Sequence, residues 1–144
     1  MSDDFKIEKE WKHAGLNCCV LFIRNSHRCG YVAVGKKNIA YQLSYEEVPV
    51  SVHGGLTYGG DKNDFAVKTK LKSDYVWFGF DCMHSGDKSF TSSDKSGHFW
   101  TFDEVVKETE DLAEQLKKIT WKEVISKKLE YMPDWFVSRI SIKR

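Results

Sequence analysis

Six residues have types and spacings that suit chemistry: Cys29, His53, Asp81, Cys82, His84 and Asp87. Two thiolates and two imidazoles form a standard tetrahedral set for zinc, so Cys29, His53, Cys82 and His84 are the expected ligands of a closed, structural zinc site. The Cys82-Met83-His84 spacing suits this, because residues i and i+2 share one face of a strand, and a bend after Cys82 also lets both approach one ion. Asp81 and Asp87 are the rival ligands. If they replace the cysteines, the site becomes harder, wetter and better suited to catalysis. The paired C-x-x-C knuckles of a zinc ribbon are missing.

Plainer roles compete for each residue. A lone buried cysteine such as Cys29 packs as a small hydrophobe, and Asp81 and Asp87 are of the type that closes turns with its own side chain. His53, just before Gly54-Gly55, also suits a turn cap. His13, His27 and His98 have no partners at useful spacing and read as surface residues. No glycine-rich phosphate loop, G-x-S-x-G elbow or H-E-x-x-H pair occurs. A nucleophile pair of Cys82 with His53 or His84 is conceivable, but C-x-H spacing does not define a thiol hydrolase.

The elements that must position these residues follow from periodicity. Cys18 to Arg24 is short and dense in β-formers, as in a strand buried on both faces, with Cys18 and Cys19 pointing to opposite sides. Gly30 to Val34 reads as a second strand. In Tyr45 to His53, Val48, Val50 and Val52 alternate with polar residues and Pro49, which predicts an edge strand. Phe65 to Leu71 and Tyr75 to Cys82 read as a hairpin about Lys72-Ser73-Asp74. If strands from Cys29, to His53, from Phe65 and to Cys82 form an antiparallel meander, all four zinc ligands meet at one end of the sheet.

After a polar, Ser- and Gly-rich loop (residues 86–98, expected to be mobile), the period changes to helical. Thr101 and Glu104 make a capping box with a Trp100/Val105 staple, and Val105, Thr109, Leu112 and Leu116 share one face. Thr120 and Glu123 repeat the box. A stripe of Val124, Ile125, Lys128, Leu129 and Met132 then runs to Pro133, and Trp135 to Ile142 suits a final strand. Residues 1–15 suit a strand, a helix or an arm laid on the body. Strands first and helices last predict an α+β fold: an antiparallel sheet of about four to six strands with two C-terminal helices packed on one face. The expected organisation is a single domain over residues 1–144.

With 22 basic and 21 acidic side chains, the chain carries a formal charge of +1. That balance neither recruits nucleic acid nor imitates it, so direct nucleic-acid binding and DNA mimicry are not expected. No apolar run is long enough for a bilayer and the charged start lacks the apolar stretch of a signal peptide, so the expectation is a cytoplasmic protein without a membrane partner.

Three segments carry a resemblance: Arg28-Cys29-Gly30-Tyr31-Val32, Val52-His53-Gly54-Gly55-Leu56-Thr57-Tyr58, and Phe78-Gly79-Phe80-Asp81-Cys82-Met83-His84-Ser85-Gly86-Asp87. They resemble a widespread group of small phage and prophage proteins, as does Asp111-Leu112-Ala113-Glu114-Gln115-Leu116. The likeness runs from about Arg28 to Leu116. It implies an inhibitor of a host antiviral defence in the host cytoplasm, similar to the zinc-holding anti-CRISPR proteins that bind the type II guide-RNA nuclease and block it without catalysis. The alternative is a metal-dependent hydrolase or nucleotide-binding protein that removes a defence signalling nucleotide, with His53, Asp81, His84 and Asp87 around an ion.

Overall fold

The computed structural model describes residues 5–24, 26–60, 74–84, 86–89, 97–132 and 134–137. Three long strands open the chain: β1 (Phe5–His13), β2 (Leu16–Ile23) and β3 (His27–Val34). Two more follow, β4 (Tyr58–Gly59) and β5 (Val76–Asp81), and the sheet has the antiparallel order β1-β2-β3-β5-β4. A small parallel pair joins β6 (Asp87–Lys88) to β7 (His98–Phe99). The helices come last, as α1 (Phe102–Lys118), α2 (Trp121–Glu130) and the short α3 (Asp134–Val137). The fold is α+β, with an antiparallel five-stranded sheet and C-terminal helices.

Strand β2 is the centre of the apolar pattern. Cys18, Cys19, Val20 and Leu21 are all buried, as a strand covered on both faces requires. Cys18 and Val20 pack with α1's Val105, Leu112 and Leu116, while Cys19 and Leu21 pack with Ala33 and Trp77 on the opposite face. The contact with α1 is close because Gly30 lies under it: a Cβ there would collide with Thr109 Oγ1 and the Phe80 ring.

Both capping boxes form. Thr101 Oγ1 accepts from the Glu104 N–H and Glu104 returns to the Thr101 N–H, and Thr120 and Glu123 do the same for α2. Only Val124 of α2 is buried, and Ile125 and Met132 of the stripe are exposed. Lys127 and Lys128 tie α2 to the 45–48 segment through the Val48 carbonyl and Glu47.

Three expectations need correction. Tyr45 to His53 is not a strand: Tyr45–Glu47 is a 3-10 turn closed by a Ser44/Glu47 capping box, and the chain to His53 is irregular. The meander therefore does not exist, and β3 pairs directly with β5. Asp134–Val137 is helical where a strand was expected. Residues 1–15 contain strand β1, whose register slips between Ile7 and Lys9. The Phe65 to Leu71 strand lies outside the described residues.

Candidate histidine–carboxylate site

The β5 end of the sheet carries the chemistry. Strand β5 delivers Asp81, the bend after it delivers His84, and a turn brings back Asp87. His53 arrives from the irregular segment on the α1 side, where its backbone N–H donates to Glu108 Oε2 at 2.6 Å. Two left-handed glycines, Gly54 and Gly55, follow it at φ of 68° and 79°. Gly54 packs directly against the His84 ring, and a Cβ there would collide with the imidazole. This close approach requires glycine.

Asp87 is the hub. His53 Nε2 lies 2.9 and 2.7 Å from its two oxygens, the His84 N–H donates to Oδ2 at 2.9 Å, and Trp100 Nε1 donates to Oδ1 at 3.1 Å. The Asp87 side chain is only 3% exposed. Burial works to raise its pKa, but the bonds from His53, the His84 N–H and Trp100 outweigh it and hold the carboxyl below its ordinary value. An ionised carboxylate only accepts, so His53 Nε2 must carry the proton, which leaves Nδ1 as the acceptor of the neutral ring. Trp100 covers His53 at 4.2 Å between ring centroids, and His53 meets His84 edge to face at 5.5 Å.

His84 is less satisfied. Its Nε2 lies 3.2 Å from Asp81 Oδ1 but out of line for a hydrogen bond, is sealed from solvent and has no hydrogen-bond partner among the described residues. Asp81 is itself a turn former, accepting from the Met83 N–H at 3.0 Å and from Thr57 Oγ1 at 3.3 Å.

The structure thus brings together His53, His84, Asp81 and Asp87, and holds the thiols apart. Cys82 packs in the core beneath α1 with Phe78 and Phe80. Cys29 opposes Asp81 on the other face of the sheet and pairs with the Tyr31 hydroxyl. Burial pushes the Cys29 thiol up to about 12, and the Cys82 thiol rises for the same reason. Among the described residues, no three His, Cys, Asp or Glu side chains are arranged around a common point as metal ligands would be. The imidazoles and carboxylates pair with each other instead.

His98 is exposed, as expected, but each of the remaining histidines has a partner. His13 Nε2 lies 2.7 Å from Glu114 and its Nδ1 3.4 Å from Glu110, which also accepts from Trp11 Nε1, so the β1–β2 turn is pinned to α1. His98 meets Glu104, and His27 meets Ser26. Trp100 and Glu108 are the site residues that sequence reasoning missed. Trp100 was legible only as a helix staple, and nothing local marks Glu108 as the partner of a backbone 55 residues away.

Fold and site together define a small α+β protein with a histidine–carboxylate centre at one end of its sheet. Comparison with protein-family models, with curated proteins and with solved structures finds no match.

Proposed function

We propose that this chain is a metal-binding inhibitor of a host antiviral defence, carried by a phage, with its ion held at the β5 end of the sheet. The supporting observation is His84 Nε2, a buried imidazole nitrogen without a hydrogen-bond partner among the described residues. Asp81 Oδ1 lies 3.2 Å away but out of line, so the nitrogen is incompletely satisfied, and a metal ion is a natural occupant. A bound ion would have to draw His53 and Asp81 towards His84, since no three such groups meet at a common point among the described residues, and Asp87, held to His53 through Nε2, would be the usual outer partner of a metal-bound histidine. Zinc accepts such nitrogen and oxygen donors. The buried, un-ionised thiols are poorly placed to complete the set.

The role as inhibitor rests on the resemblance of the three motif segments to small phage proteins. The preferred target is the type II guide-RNA nuclease in the host cytoplasm, met through a protein surface and blocked without catalysis. The near-neutral charge supports recognition of protein over imitation of nucleic acid. No helix among the described residues is long and apolar enough to cross a membrane.

A set made of His53, His84 and Asp81 would suit a second reading. Two imidazoles and one carboxylate leave a position on the ion open to water, which suits metal-dependent hydrolysis or capture of a defence signalling nucleotide.

Elemental mass spectrometry on untagged protein tests the shared premise. About one zinc per chain is expected from a single site, and it should be lost in His84→Ala and His53→Ala. Metal-free protein, or metal content unchanged in both variants, removes the ion from both readings. Turnover of a cyclic dinucleotide by the metal-loaded chain then selects the second reading. Stoichiometric binding to the nuclease without turnover selects the first.

A further inference from the structure

Between β1 and the histidine–carboxylate centre lies a largely buried ion pair. Arg28 Nε donates to Glu8 Oε1 at 2.7 Å and Nη2 to Glu8 Oε2 at 3.3 Å, a side-on fork on one carboxylate. The remaining arm, Nη1, donates to the Trp100 carbonyl at 3.2 Å. The guanidinium also lies 4.8 Å from the centre of the Phe22 ring and 5.7 Å from that of Phe99. The Arg28 and Glu8 side chains are only 12% and 17% exposed.

Glu8 reaches this place through the register slip in β1. Ile7 pairs with Leu21 and Lys9 with Val20, which leaves Glu8 as the extra residue of a bulge. The slip reverses the alternation of the strand. Ile7 and Trp11, four residues apart, would share a face of a regular strand, yet Ile7 packs with Leu21 and Trp77 while Trp11 packs with the α1 cluster of Leu112 and Leu116. A bulge re-aims a side chain, and here Glu8 spans β2 to meet Arg28 on β3.

We propose that Glu8 and Arg28 are positioning residues for the histidine–carboxylate centre, acting through Trp100. A buried ion pair adds little over apolar packing of the same volume, because desolvation consumes most of its attraction. Its geometry is the more telling feature. Arg28 holds the Trp100 carbonyl, and the indole of the same residue donates to Asp87 Oδ1 at 3.1 Å and covers His53 at 4.2 Å. Fixing the backbone of Trp100 fixes where its ring lies over His53. Lysine, with one ammonium in place of the planar fork, cannot hold Glu8 and the carbonyl in the same geometry. This role goes beyond the proposed ion site and needs no ion to operate.

Solvent exchange of the Trp100 indole N–H, followed by nitrogen-edited proton NMR on the chelator-treated full chain, tests the proposal. Trp100→Phe assigns the resonance. Trp11, bonded to Glu110 from the same strand β1, is the control for general loosening. Arg28→Lys should speed Trp100 exchange about tenfold or more and leave Trp11 near the parent rate. Glu8→Gln keeps the shape and one acceptor oxygen, so its effect should be smaller, and it carries the test if Arg28→Lys does not fold. Because Glu8 acts through Arg28, the double variant should exchange no faster than Arg28→Lys alone. Unchanged Trp100 exchange in the single variants overturns the proposal. So does Trp11 exchange that rises in step with it, or additive effects in the double variant, since either marks the pair as general support for the fold.

Discussion

Replacing Asp87 with alanine should be among the most damaging single changes at the site. The carboxylate is 3% exposed and receives His53 Nε2, the His84 N–H and Trp100 Nε1. Alanine strands all three donors, each at roughly 1–3 kcal/mol if nothing replaces the oxygen. Local relaxation and water recover part of this, so the expected loss is about 3–5 kcal/mol. A domain of this size has a net stability of only about 5–15 kcal/mol. Urea unfolding followed by tryptophan fluorescence, with Trp100 as a local reporter, measures the loss directly. Asp87→Asn keeps one acceptor oxygen and should fall between the alanine variant and the parent. A loss below about 1 kcal/mol for Asp87→Ala would mean that the group behaves as a solvent-screened surface pair, and the buried hub would be refuted.

Gly54→Ala should cost about 1–2 kcal/mol for its left-handed backbone alone, displace the His84 ring and weaken metal retention; unchanged stability and metal content would contradict the packing described. Thr101→Ala should remove about 1 kcal/mol by opening the α1 capping box, readable as a melting point lower by about 3 °C. The Glu104 side of that box sets a pH dependence. The Thr101 N–H is the main cause that holds the Glu104 carboxyl below its ordinary value; burial, next in size, opposes it, and His98 adds to the lowering. Its contribution should be complete above the unfolded carboxyl pKa of about 4.3 and disappear as the pH falls through the lower folded value, an acid limb that Glu104→Gln should flatten. The four buried thiols should resist iodoacetamide at pH 8 in the native chain and react on unfolding, since Cys18, Cys19 and Cys29 are pushed up to about 12 and Cys82 is also raised.

What the sequence made legible were features written locally. The unbroken apolar run at Cys18 to Leu21 marked a strand covered on both faces, and the T-x-x-E boxes marked both helix starts. The 45–53 segment misled because two local signals compete there. The alternation of Val48, Val50 and Val52 suggested a strand, yet Ser44 and Glu47 also fit a capping box, which formed and bent the chain before Pro49. Strand β1 was ambiguous because its register slip between Ile7 and Lys9 breaks the alternation that identifies a strand. The site was legible in its histidines and only partly in its geometry. His53 and His84 do meet, although by a loop and a bend and not through a meander. The separation of Cys29 from Cys82 across the sheet depends on pairing register, and the docking of His13 on Glu110 and Glu114 spans about a hundred residues. Neither is encoded within a local window.

The register slip in β1 has a consequence for how the molecule behaves in a crowded solution. An outer strand with a full row of unused N–H and C=O groups is a template on which a foreign strand can grow, the first step towards edge-to-edge aggregation. Here that border carries Lys6, Glu8, Lys9, Glu10 and Lys12, and the slip kinks it out of the flat geometry that an incoming strand needs. Its tip is also clipped to α1 by His13. The sheet is thereby protected from open-ended growth on this side, so a high concentration of the protein need not end in fibres.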